Sequence, residues 1–183
     1  MFKQIVGTLA LASMVASPVF AQSADFDLTS TDIAEGAQLS NDHVFNGFGC
    51  EGENISPQLA WSNAPEGTKS FVITAYDPDA PTGSGWWHWV AFNIPANTNS
   101  LSTNASADGV MPTGSVQAKT DFGSYQFGGA CPPPGEVHRY VFKISALDVE
   151  KLELGPDASP ALIGFMTQAH TIASDKITAV YTR

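Results

Sequence analysis

Two aspartates and two histidines carry most of the chemistry available to this chain. Asp77 and Asp79 flank a proline in D-P-D-A-P (77–81), and His88 lies inside W-W-H-W (86–89). His138 opens H-R-Y-V-F (138–142), which places Tyr140 on its face of a strand. Imidazoles titrate near neutrality, and carboxylates beside them can set their charge, orient them or meet a cation. Such groups among aromatic walls suit a small-ligand site. A zinc site from Asp77, Asp79, His88 and His138 is chemically allowed, although D-P-D is first a turn signature. G-x-S-x-G, the P-loop and H-E-x-x-H do not occur, and no residue is marked as a nucleophile.

Those residues need strands to hold them. Phe71 to Tyr76 and Trp87 to Ile94 are rich in β-branched and aromatic residues and read as buried strands. The Pro/Gly/Ser-rich stretch between them reads as a loop. His88 is expected to share its face with Trp86, Val90 and Phe92, and the tryptophans are read as core before ligand platform. Gln58 to Trp61 is a short strand that Pro57 marks as an edge or a strand start. Residues 117–130 place aromatics among glycines, which suits an ordered loop over a pocket.

His138 to Leu147 alternates as a strand, with Arg139 on the opposite face and read as solvated or salt-bridged. Ser159 and Pro160 cap a helix whose apolar positions Leu162, Phe165, Met166, Ala169, Ile172 and Ala173 recur at helical spacing. His170 sits near its end, where a cation suits the dipole. Ser174 and Asp175 break the helix, and Ile177 to Tyr181 close the chain as a strand. His43, in a polar loop, is assigned no role. Many short strands and one late helix predict a mainly antiparallel β-sandwich.

Residues 1–21 read as a signal peptide: Lys3, an apolar run too short to span a bilayer comfortably, then small residues before a cut at Gln22. Residues 22–183 are then one exported domain, periplasmic or secreted, with no transmembrane segment expected. The formal charge of −10 argues against nucleic acid and anionic membrane surfaces as partners. In an oxidising compartment the only two cysteines, Cys50 and Cys131, favour a structural disulfide over a metal site.

These motifs together resemble the phosphatidylethanolamine-binding protein family. D-P-D-A-P, the W-W-H-W-V stretch, and C-P-P (131–133) followed by H-R-Y-V-F carry the likeness. G-C-x-G-x-N-I-S-P-x-L-x-W (49–61) and A-P-E-G-T-K-S-F (64–71) look like its bacterial Raf-kinase-inhibitor-like (YbhB/YbcL-type) branch. The resemblance implies a Greek-key sandwich with a small anion pocket and no enzymatic activity or cofactor. It maps the pocket to Asp77, Asp79, Pro81, His88, the Cys131, Pro132 and Pro133 backbone, His138 and Tyr140.

Family members of eukaryotes carry an extra C-terminal helix, for which few residues remain here. They also have glycine where this chain has Cys131, so a disulfide would stiffen the pocket rim. Three functions follow from the sequence. The leading one is binding of a small anionic or phosphorylated ligand, with protonated imidazoles tightening the grip in mild acid. The second is a protein-interaction or inhibitor role toward a protease or host protein. The third is a metal-dependent hydrolase. A homodimer is left open.

Overall fold

The computed structural model describes residues 25–107 and 109–183, so the expected signal peptide lies outside the described residues. The strands are β1 (Asp27–Thr29), β2 (Asn46–Gly47), β3 (Cys50–Glu51), β4 (Leu59–Ser62), β5 (Ser70–Asp77) and β6 (Trp86–Pro95). They continue with β7 (Ser100–Leu101), β8 (Val116–Gln117), β9 (Val137–Leu147) and β10 (Thr171–Thr182), the last preceded by helix α1 (Pro160–His170). The main sheet has the order β10-β9-β5-β6-β8 with every neighbour antiparallel. A three-stranded sheet, β1-β4-β7, is also antiparallel. Leu28, Leu59 and Trp61 of the small sheet share one apolar core with Ile73, Trp89 and Phe142 of the large one. The mainly antiparallel β fold with one helix is therefore as the sequence predicts.

The long central strands follow from composition, because β-branched and aromatic side chains fit a pleated surface buried on both faces. The outer face of the main sheet carries a second cluster, with Val72, Val90, Phe92 and Leu147 packed under Ile163 of α1. One local reading is narrowed and three change. Pro57 precedes a strand that lies in the middle of its sheet, so it marks a start and not an edge. The helix stops at His170, and β10 starts at once, pairing Thr171 with Leu147 and Asp175 with Ile144. Ser174 and Asp175 thus lie in a strand, where ladder pairing outweighs their turn preference.

The helix also turns a different stripe inward. Ile163 and Thr167 are buried, whereas Leu162 and Phe165 face solvent. Finally, β6 is not regular. Ala75 pairs with Trp89 and Tyr76 with Trp87, so His88 is the extra residue of a β-bulge. The bulge breaks the period of two: Val90 and Phe92 point to the helix side, while Trp89 enters the central core. His88 consequently keeps company with Trp86 but not with Val90 and Phe92.

Candidate functional site

Asp77 ends β5 and is almost fully buried. Its Oδ1 accepts hydrogen bonds from the backbone N–H of Asp79 at 2.8 Å and of Ala80 at 3.1 Å, the Asx turn that D-P-D encodes. Its Oδ2 faces Nδ1 of His138 at 2.7 Å. Strand register brings the two together, since β5 and β9 are neighbours and both run to this end of the sheet. Nε2 of His138 meets a second carboxylate, Oε2 of Glu136, at 3.0 Å. Burial opposes a charge on this ring, but the bonds to Glu136 and Asp77 outweigh it and raise its pKa above the ordinary 6.5. Each ring nitrogen thus faces a carboxylate, an arrangement that favours the imidazolium, which donates from both.

His88 is pushed the other way. Its ring is buried, and burial lowers its pKa against the opposing bond to Gly128 and the charge of Asp77. Nδ1 donates to the Gly128 carbonyl at 2.6 Å, so the neutral ring presents a lone pair at Nε2. Among the described residues that nitrogen has no partner, and neither does the buried Nε1–H of Trp86. The two imidazoles are thus pushed in opposite directions, His138 toward a cation and His88 toward a neutral acceptor. The loop that receives His88 is set by glycine: a Cβ at Gly129 would meet the His43 carbonyl oxygen and the Phe45 nitrogen at 2.6 Å each.

Around these rings lies a cavity of about 390 Å³. Asp77, Pro81, His88, Cys131, Pro133, His138 and Tyr140 all line it. Burial, and then the nearby Asp77 charge, raise the Tyr140 pKa far above 10, so its hydroxyl stays protonated. Phe122 contacts His88 edge-on with centroids 5.2 Å apart, and Phe48, 68% exposed, projects beside it. Asp79 and Pro132 do not line the cavity. Asp79 turns outward to a two-pronged bond with Arg139, at 2.9 Å to Nε and 2.7 Å to Nη2. Among the described residues, no group of three or more His, Cys, Asp and Glu is placed to hold a metal ion.

The Asp79 pair gives a pH signature. Hydrogen bonding to Arg139 outweighs partial burial and holds the Asp79 carboxyl at about 2, against an ordinary 3.8. A depressed carboxyl stabilises the fold above its unfolded pKa and loses that contribution as pH falls through the folded one. Acid unfolding should therefore steepen between about pH 4 and 2. Arg139→Ala should cost stability above about pH 4, a small amount because the pair is solvent-exposed, and that cost should vanish as pH falls toward 2. Urea titrations from pH 2 to 6 would check this, and an equal loss at every pH would refute it.

Several site residues escaped the sequence reading. Arg183 donates to the carbonyls of Pro132 at 2.7 Å and Gly49 at 2.8 Å, tying the β2–β3 turn to the rim. Nothing in its spacing marked it. Phe48 lies two residues before Cys50, so the disulfide to Cys131 draws it to the rim. Glu136 precedes His138 by two, the spacing of one strand face, and was legible on that ground. His43 is buried with Nδ1 bonded to the Ile55 carbonyl at 2.7 Å and lies outside the site.

The chain matches the phosphatidylethanolamine-binding protein family over residues 29–182. It is 53% identical to UPF0098 protein YbcL of Escherichia coli, over 95% of this chain and 97% of that one. It is 52% identical to UPF0098 protein YbhB of the same organism, over 84% and 98%. The crystal structure of E. coli YbcL, described as a new member of the mammalian family, superposes with a TM-score of 0.85 over 87% of this chain and 99% of that one. A homologue from Chlamydia trachomatis, 26% identical, gives 0.73 over 87% and 98%. A family match across nearly the whole described chain, relatives more than 50% identical and a TM-score of 0.85 lead to one conclusion: this chain belongs to the phosphatidylethanolamine-binding protein family.

Proposed function

We propose that the cavity holds a small phosphorylated or otherwise anionic ligand without transforming it. The observation that carries this reading is the set of polar groups that meet around one cavity: the His138 imidazolium, the partnerless Nε2 of neutral His88 and the partnerless Nε1–H of Trp86. A protonated phosphate or phosphate monoester satisfies all three, because it offers a P–OH to His88 and oxygens to the two donors. Phe48, Phe122 and Trp86 give an esterified ligand an apolar wall. The neutral His88 sharpens the expectation from sequence: the preferred species is a monoanion.

Export to the periplasm or beyond belongs to the same reading. The Cys50–Cys131 disulfide supports it, since such bonds persist in oxidising compartments, and no described helix is long and apolar enough to cross a membrane. A second reading, a protein-binding role, is favoured by the exposed Leu162 and Phe165 on α1. Partner capture that survives His138→Ala would support that surface over the cavity.

Calorimetric titration with phosphate and phosphoethanolamine at pH 6 tests the main proposal. The native protein should bind, His88→Leu should lose most of the affinity, and phosphoethanolamine should be recovered unchanged. Equal binding by the native protein and His88→Leu, or hydrolysis of the ester, would sink it.

A further inference from the structure

We infer that Glu136 is an internal competitor for the anion site, a carboxylate that must swing away before His138 can hold a ligand. The inference rests on reading the cavity as an anion site. His138 has two N–H groups, and the protein's own acids take both: Asp77 at 2.7 Å and Glu136 at 3.0 Å. An N–H makes one strong, linear bond at a time, so an oxyanion at Nε2 must displace one that is already made.

The two acids are held very differently. Asp77 is buried, and two backbone N–H groups hold its other oxygen, so removing it would strand three donors. Glu136 keeps about half of its side chain in solvent, at 53% exposure, and among the described residues its carboxylate has a single hydrogen bond, the one to His138. Its backbone is fixed by the turn that bonds its N–H to the Pro133 carbonyl. The swing therefore needs only side-chain rotation, against an exposed ion pair of small net worth.

Two consequences follow for selectivity. While Glu136 is seated, both N–H groups of the imidazolium are taken by carboxylates, and an approaching anion finds neither free. Arg183, which also lines the cavity, has its guanidinium donors committed to backbone carbonyls at the rim. The site thus rejects any anion that grips His138 no better than a carboxylate does. An oxyanion with further contacts to His88 and Trp86 exceeds that threshold. Glu136 in this role determines specificity: it screens simple carboxylates and admits phosphate-like ligands.

The test is calorimetry at pH 6 with inorganic phosphate and with acetate, on the full chain and on Glu136→Gln. Removing the competitor should tighten phosphate by about fivefold, the size expected for breaking an exposed ion pair. Acetate should compete with phosphate measurably in Glu136→Gln only. Unchanged affinity would overturn the inference and leave the anion reading standing. Weaker affinity would also overturn it, showing that Glu136 grips the ligand itself. If neither protein binds phosphate, the anion reading fails, and the inference with it.

Discussion

Replacing Asp77 with alanine should cost about 3 kcal/mol of stability, the scale of breaking a buried charged pair from one side, and should abolish phosphate binding. The carboxylate stands at the junction of turn, sheet and cavity. It holds the Asp79 and Ala80 N–H groups with one oxygen and the His138 imidazolium with the other. Alanine leaves all three donors without their acceptor inside a packed strand end. Asparagine should be milder for the fold, because its carbonyl can still serve the turn. Its neutral amide cannot stabilise the imidazolium, so binding should be lost at a smaller cost in stability.

The sign of the pH dependence follows from His138. Its folded pKa is raised, so the stability it contributes is fully present below the unfolded value of about 6.5 and is lost as pH rises through the folded one. Native stability should therefore decline as pH rises above about 6.5, and Asp77→Asn should show a smaller decline, since Glu136 still pairs with the ring. Urea unfolding at pH 6 and pH 8 reads both. Parallel curves for the two proteins would contradict the pairing.

The second large effect is expected from the disulfide. Cys50 and Cys131 are 81 residues apart in sequence, and releasing a loop of that size costs about 4.5 kcal/mol on the chain-entropy account. The bond also has a local duty. It joins β3 to the rim residue Cys131, with the exposed Phe48 on the turn just before it. Replacing both cysteines with serine should lower the midpoint of thermal unfolding by roughly 10 °C. Ligand affinity should fall less, because Arg183 still bridges Gly49 and Pro132. A stability loss under about 1 kcal/mol would show that the unfolded chain gains little freedom when the bond is cut.

Strand existence was legible because β5 and β9 are long, apolar and regular in composition. The face on which His88 emerges was not, because a bulge depends on the pairing of two strands and not on either sequence alone. The same holds for the helix end. Ser174 and Asp175 look like a break, yet β9 supplies a ladder that recruits them into β10. At the site, D-P-D announced a turn and H-R-Y a strand start, so Asp77 and His138 could be named together. Asp79 looked equivalent to Asp77 in sequence, but an i+2 spacing across a turn sends the two carboxylates to opposite sides. One is buried against His138 and the other pairs with Arg139. The opposite charge states of the two histidines could not be read from sequence, since burial and partners decide them.

The central claim is that a ligand joins a neutral His88 to a charged His138, and imidazole nitrogen NMR of the native protein with and without phosphate tests it most directly. In the free protein, the two His138 nitrogens should resonate as a protonated ring, and Nε2 of His88 as an unprotonated acceptor. Phosphate at pH 6 should shift His88 Nε2 and His138 Nε2 together while His88 Nδ1, bonded to Gly128, stays in place. Saturating phosphate that moves neither nitrogen would contradict the account.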